Sequence, residues 1–378
     1  MWALSIVCAI ALISHLVSIA VAARRIRKAA PTATDWQIKR PPVSILRPVC
    51  GLENNLAETL ESTFHLDWPE VEIIFCVAAT DDPAIPLVER LIAAHPDVAA
   101  RLLVGDVKVS VNPKLNNVVK GWNAACHDWI VLADSNVLAP SDYLDRLFAR
   151  WLPGTGMVCS PPAGSAPEGF WAEVECVWLN SFQARWQLVA DEIGFGFGQG
   201  KTMLMQRSLL DASGGIESLA EEVAEDAAAT KIVRTAGLCV RLTIEPFQQP
   251  LGRRSWGGIW RRQLRWARLR RASFPLYFAP EILSGGALPM LSTAVLVGFG
   301  DWPLWAGLLY AALWYGSEIL LTRLFRWPLS LRTPAALLLR DAALPALWAA
   351  AWFGNGFVWR GNQMAVPPAR HRRDKMAA

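Results

Sequence analysis

The sequence predicts an α/β protein with a mostly parallel sheet, set between apolar segments near both ends of the chain. Two observations predict it. From residue 40 to about 250, short β-rich runs alternate with helical ones, the rhythm of strands joined by right-handed crossovers. Outside that stretch, residues 2–22 and 282–359 carry long apolar segments, and a bilayer span needs ~20 apolar residues. With 378 residues, 53% of them hydrophobic, the chain can hold one large domain and a membrane part.

The first apolar segment, "WALSIVCAIALISHLVSIAVA", contains no charged residue, and no basic stretch precedes it as in a signal peptide. Its charges follow instead, as "RRIRK" at 24–28. Basic residues stay cytoplasmic, so the N-terminus is expected outside and the next domain in the cytoplasm. In that domain "VSILRPV" (43–49), "VEIIFCVAA" (71–79), "ARLLVG" (100–105) and "DWIVLAD" (128–134) read as strands. Between them lie "NNLAETLESTFHLDWP", "DPAIPLVERLIAAHP" and "KLNNVVKGWNAA", which have helical spacing.

Beyond residue 280, "ILSGGALPMLSTAVLVGFG" and "WPLWAGLLYAALWYGSEILL" read as two spans joined by a turn at Asp301. The basic "RLFRWPLSLR" (323–332) that follows returns the chain to the cytoplasm. The last apolar stretch, 335–359, contains Arg340 and Asp341, costly in lipid unless buried or interfacial. An interfacial turn followed by a span or re-entrant helix is expected there. A full span from 332 would carry the basic tail "ARHRRDK" to the outer side, against its charge. The division expected is an anchor and basic linker (1–39), an α/β domain (40–250), Arg/Trp-rich interfacial helices (251–280), membrane helices (281–359) and a basic tail (360–378).

Several functions are disfavoured. Seven scattered cysteines with no CxxC pair suggest reduced thiols, and five histidines without HxxxH or HExxH spacing argue against a zinc site. "GFGFGQGKT" (194–202) ends like a phosphate-binding loop, but Phe195 stands where its first glycine is required; a mobile apolar loop is the expectation. Eight arginines between 253 and 271 lead straight into a membrane segment, so headgroups rather than nucleic acid are their expected partners.

In an open parallel sheet ligands bind beyond the carboxyl ends of the strands. Asp81 and Asp82 follow the second strand there, and Asp134 follows the fourth. A further acidic cluster, "EEVAEDAAATK", places Glu225 and Asp226 at a helix start.

The segments "VCGLENNLAETLESTFHLDWP", "CVAATDDPAIPLVERL", "NPKLNN", "LADSN", "AEDAAATK" and "RRQLRW" occur in the order and spacing of the ceramide glucosyltransferases. The chain resembles that family over residues 40 to about 280. The resemblance implies a GT-A (Rossmann-like) catalytic domain over 40–250, anchored by the N-terminal and C-terminal membrane helices. It implies inverting transfer of glucose from UDP-glucose to ceramide. A hopanoid polyol or diacylglycerol, with another UDP-sugar, is an alternative, and a processive polysaccharide synthase a more distant one. Asp226 is implied as the base that takes the acceptor's proton. Asp82 and Lys114 are implied in the nucleotide pocket. Asp134 is the candidate ligand of a divalent cation, Mg or Mn, that bridges diphosphate oxygens. Many GT-A enzymes carry Asp-x-Asp, whereas this chain has Asp-Ser-Asn. Arg262, Arg265 and Trp266 match the R-x-x-R-W motif and are assigned to the diphosphate, since guanidinium forks pair with phosphate. Arg253, Arg254, Arg268, Arg270 and Arg271 are left to the lipid surface. The expected setting is the bacterial inner membrane, or a Golgi-type membrane in a eukaryote, with the catalytic domain cytoplasmic.

Overall fold

A computed structural model describes residues 2–27, 35–359 and 361–366; Lys28 of "RRIRK" and the "ARHRRDK" tail lie outside them. The chain divides into two compact units. The sheet unit comprises Lys28–Ser165 and Ala190–Gly252, and the helical unit Met1–Arg27, Ala166–Val189 and Arg253–Ala378. The helices used below are, in chain order, α1 (Trp2–Arg27), α2 (Pro113–Ala124), α3 (Phe170–Val177), α4 (Glu225–Thr235), α5 (Trp256–Ser273), α6 (Ala287–Gly298), α7 (Leu304–Leu324) and α8 (Thr333–Trp352).

Seven strands form the sheet: β1 (Val43–Val49), β2 (Val71–Val77), β3 (Ala99–Val104), β4 (Trp129–Ala133), β5 (Thr155–Cys159), β6 (Thr202–Gln206) and β7 (Cys239–Leu242). Their spatial order is β3-β2-β1-β4-β6-β5-β7. All neighbours pair in parallel except β6, which runs antiparallel to both β4 and β5. The first four strands fall where the sequence places them, within two residues. The reversal of order between β1 and β4 opens a crevice at their carboxyl ends, where the loops after β1 and β4 diverge.

Burial explains why these runs are strands. Every residue of β1 and β4 is buried, as expected for interior strands covered on both faces. One face packs Val43, Ile45, Val131 and Leu204 against Tyr143, Phe148 and Trp151. On the same face, farther along the sheet, Val49, Phe75 and Val77 pack with Leu56, Leu60, Val88 and Leu91, while Leu46, Ile74 and Cys76 face α2 on the other. Helix α2 lies close to β2 because Gly121 has no side chain; a Cβ there would stand 2.5 Å from Cys76 Sγ. That contact fixes the helix whose first turn enters the site.

Among the described residues of the helical unit, four segments are long and apolar enough to cross a membrane: Trp2–Ile26, Pro275–Gly298, Leu304–Leu324 and Thr333–Trp352. Helices α1, α6 and α7 meet around Cys8, Leu296, Tyr310 and Trp314. Tyr310 Oη donates to Cys8 O at 2.9 Å, and His15 stacks on Trp314.

Residues 340–341 differ from the expectation of an interfacial turn. Helix α8 runs unbroken through them, and both side chains are buried. Arg340 donates to both Glu318 carboxylate oxygens, at 2.7 and 3.0 Å, to Asp341 Oδ1 at 2.8 Å and to Ser181 Oγ at 2.9 Å. Ion pairing inside the unit removes the cost that argued for a turn. The arginines assigned to lipid also find protein partners. Arg254 Nε donates to the buried Glu175 at 2.9 Å, Arg270 pairs with Glu281 at 2.5 Å, and Arg268 and Arg271 donate to carbonyls at the end of α8.

Arg340→Met should destabilise the protein by about 3–5 kcal/mol, because it strands two buried carboxylates. The paired change Arg340→Met with Glu318→Leu should recover much of the loss. Thermal unfolding in detergent measures both; equal Tm values for the single and double variants would contradict the pairing.

Candidate active site

The "NPKLNN" motif shows how the sequence builds the site. Asn112 caps α2, its side-chain oxygen accepting from Lys114 N at 2.9 Å and Leu115 N at 3.2 Å. Pro113 stands in the first turn, where its missing N–H has no partner to lose. Asn117 Nδ2 donates to Cys76 O at 2.7 Å, tying the helix to β2. Asn116 Oδ1 accepts from Val109 N and Ser110 N, folding the preceding loop. Lys114 is left to project from the first turn into the crevice.

Its ammonium makes three bonds: to Asp134 Oδ1 at 2.7 Å, Glu225 Oε1 at 2.7 Å and Gly200 O at 2.6 Å. An ammonium has three protons, and all three are used. Asn112 Nδ2 donates to the other Glu225 oxygen at 2.7 Å, so the capping residue also buttresses the acid. Lys201 Nζ lies 2.9 Å from Asp134 Oδ2 and donates to Asn136 Oδ1 at 2.9 Å. Asn136 Nδ2 donates to Glu53 Oε2 at 3.0 Å. A cation thus already sits between the two oxygens of Asp-Ser-Asn.

Asp226, in the first turn of α4, receives Gly200 N at 2.9 Å and its neighbour Ala227 N at 2.8 Å. Gly200 packs closely on the cluster: a Cβ there would stand 2.9 Å from Glu225 Oε1 and 3.2 Å from Lys114 Nζ and would push on both side chains. Gly198 N donates to Thr230 Oγ1, and Arg234 donates to Gly196 O, so the glycine-rich segment is pinned to α4. This corrects the expectation of a mobile loop. It also restores Lys201 to the site. The segment does not fit the phosphate-loop template at Phe195, yet a lysine beside packed glycines is a usable signal in the sequence.

Electrostatics separate the two aspartates. Burial would raise the Asp134 pKa, but Lys114 and Lys201 reverse this and hold it well below the ordinary carboxylate range. For Lys114 burial works downward, and Asp134 and Glu225 together push it above the usual lysine value. Asp226 goes the other way. Burial first, then the charge of Glu225, raise it to about 7 against two backbone N–H donors and Lys114. Two carboxylates in one crevice therefore hold different protonation states near neutrality.

The remaining assigned residues lie as follows. Asp82 is buried and receives Gly51 N at 2.9 Å and Ala84 N at 2.8 Å, which joins the loops after β1 and β2. Arg262, in the helical unit, donates to Glu175, as Arg254 does. Arg265 stands 5.2 Å from the Trp359 ring centroid, and Trp266 is half-buried on the same helix. Glu61 and His65, close in sequence, and the more distant His95 bring ligand atoms within 4.8 Å of one another in the sheet unit, and Glu61 and His65 are exposed.

The raised pKa of Asp226 has a consequence for stability. The folded state favours its protonated form, so the associated stabilisation is complete below the ordinary carboxylate pKa and is lost as pH rises through about 7. Asp226→Asn should therefore gain Tm over the native chain above neutrality and little at acid pH. A Tm difference independent of pH would contradict a buried carboxyl with a raised pKa.

The sequence profile of glycosyl transferase family 21 matches residues 3–371. Ceramide glucosyltransferase 3 of Caenorhabditis elegans is 28% identical over 332 residues, covering 85% of this chain and 72% of that protein. Ceramide glucosyltransferase 1 of the same organism is 28% identical over 262 residues, 69% of this chain, and the match spans about half (55%) of its length. A ceramide glucosyltransferase of Komagataella phaffii is 42% identical over 108 residues, 28% of this chain and 21% of that one. Among solved structures, a Pyrobaculum calidifontis mannosyltransferase in complex with GDP-mannose and Mn2+ superposes with a TM-score of 0.53. It is 18% identical and covers 90% of this chain and 99% of that one, a likeness of fold. The parallel sheet with its carboxylates at the strand ends is thus a GT-A fold, and the chain belongs to glycosyl transferase family 21.

Proposed function

We propose that the chain is a membrane-bound inverting glucosyltransferase that moves glucose from UDP-glucose to a hydroxyl of ceramide. The observation that carries this reading is the Lys114 cluster, which sets an ionised Asp134 beside an Asp226 poised at about 7. Family membership and the ceramide glucosyltransferases among the relatives support the choice of sugar and lipid.

Each residue then has a task. Asp82, rigidly held between two loops of the crevice, contacts the nucleoside. Asp226 accepts the proton of the attacking hydroxyl as its oxygen bonds to the anomeric carbon and the bond to the diphosphate breaks. A base with a pKa near neutrality is matched to that transfer. The single displacement inverts the anomeric centre.

The diphosphate needs positive charge, and the lysines of this cluster are already balanced by Asp134 and Glu225. A divalent cation, Mg or Mn, fits here: Asp134 and Asn136 offer two hard oxygens 2.9 Å from the Lys201 ammonium, and phosphate oxygens and water would complete the shell. When bound, it supplies neutralisation of the departing diphosphate. Lys201 would move off those oxygens toward the phosphates. Arg262 and Arg265 are proposed to reach the same diphosphate, with Trp266 beside them. The active site faces the cytoplasm in this reading, where basic residues after α1 and α7 keep their side of the chain.

Purified protein incubated with a panel of UDP-sugars and lipids, with products identified by mass spectrometry, tests the assignment. Glucosylceramide as the dominant product is expected; another sugar or acceptor would redirect it. Asp226→Asn should lower turnover by about 10²–10⁴-fold while UDP affinity stays nearly unchanged. In the native enzyme turnover should rise with pH through about 7 and level off above, because the base must be ionised. A rate flat across neutrality would remove Asp226 from that role. Asp134→Ala should weaken UDP binding chiefly when divalent cation is present. Full activity of the native enzyme in chelator would end the metal assignment.

A further inference from the structure

Four segments are apolar enough to cross a bilayer, yet the packing of the fourth is not that of a span. We propose that α8 lies in the plane of the membrane surface, paired with α5 as a two-helix platform on one leaflet. The chain then crosses three times, and its two ends lie on opposite sides.

Helix α5 sets the orientation. Its 18 residues include Arg261, Arg262, Arg265, Arg268, Arg270 and Arg271, and arginine is among the residues least tolerated at the centre of a span. Such a helix does not cross lipid. Helix α8 runs beside it along its whole length: Ala336, Leu337, Ala343, Leu344, Leu347 and Ala351 face a core shared with Ile259 and Ala267 of α5. At the far end, Arg271 Nη1 donates to Trp352 O at 3.1 Å and Arg268 Nη2 to Phe353 O at 2.9 Å. The last carbonyls of α8 are thus capped by guanidinium groups of α5. At the near end, Ser330 Oγ donates to Glu173 at 2.5 Å, at the start of α3.

Arg340, Asp341 and Leu344, in the middle of α8, meet the spanning bundle, and Trp348 and Trp352 pack on Phe278 at the beginning of the Pro275–Gly298 segment. Arg340 meets Glu318, in the last third of α7. Asp341 and Leu344 press on Gly286 and Gly285, just before α6; a Cβ on these glycines would stand 2.2 Å from Asp341 Oδ2 and 2.6 Å from Leu344 Cδ1. The end of α7 and the start of α6 mark one end of the bundle. An antiparallel fourth span would instead carry the end of α8 back toward Leu304. In the structure Trp348 Nε1 donates to Phe278 O at 3.3 Å, ahead of α6, so the helix stays at that level.

The occupant of the free face is the acyl boundary of that leaflet. Leu338, Ala342 and Ala346 form an exposed apolar stripe at helical spacing, and Phe353 is 76% exposed at its end. This arrangement also removes the conflict over the basic tail, which no longer has to leave the side reached after α7.

Two measurements on the full-length protein test it. Epitope tags at the N- and C-termini should be cleaved by protease in opposite vesicle orientations; cleavage of both in the same orientation would overturn the proposal. Single cysteines replacing Leu338, Ala342 and Ala346, in a background with Cys50, Cys126 and Cys239 changed to serine, would carry spin labels for depth measurement. Equal depths are expected. A steady progression of about 12 Å over those eight residues, the rise of a helix along the membrane normal, would show a span.

Discussion

The sheet unit depends on one buried ammonium. Lys114 holds together three parts of the chain that are far apart in sequence: the end of β4 through Asp134, the start of α4 through Glu225, and the glycine segment through Gly200 O. Each contact satisfies a charge or dipole that would otherwise be buried alone. Loss of any one partner strands the rest, which in buried ion pairs costs about 3–5 kcal/mol. Lys114 itself is placed by backbone geometry, since Asn112 caps the helix and Gly121 lets it approach β2. The crevice is therefore preorganised before any substrate enters.

That same cluster explains why Asp226 is not an ordinary carboxylate. With Asp226 protonated, two lysines balance Asp134 and Glu225. Ionising Asp226 adds a buried negative charge with no cation of its own, offset by the Gly200 and Ala227 N–H groups and by the charge of Lys114, which Asp134 and Glu225 already share. In the proposed reading an incoming diphosphate would worsen the imbalance, which would link proton uptake by Asp226 to the binding of a divalent cation. With Asp226 as the proposed base, activity and stability would pull in opposite directions at this residue, as expected where a fold stores a functional charge.

Much of this was legible in the sequence. The four strands of the parallel half announce themselves as apolar runs, and Asp134 and Asp226 stand at their expected strand end and helix start. β5, β6 and β7 were not read, because runs of four or five residues such as "TMLMQ" and "CVRL" carry too little periodicity to separate from loops. The antiparallel sense of β6 depends on pairing partners rather than on its own residues. Lys201 and the packed glycines were missed for another reason. Their meaning lies in close approach to α4, and a one-dimensional pattern offered only a phosphate-loop template that did not fit.

The helical unit shows a related limit of hydropathy. "TPAALLLRDAALPALWAAAW" has the composition of a span, and Arg340 and Asp341 are the only signs that it differs. Those two charges sit where α8 meets Glu318, so the residues that trouble a span are the ones that dock a surface helix. A buried pair is weak evidence for stability in general, but it is specific: Arg340 bonds to both Glu318 oxygens only in one register of α8 on α7. Composition sets the affinity of α8 for lipid, and this pairing sets its direction.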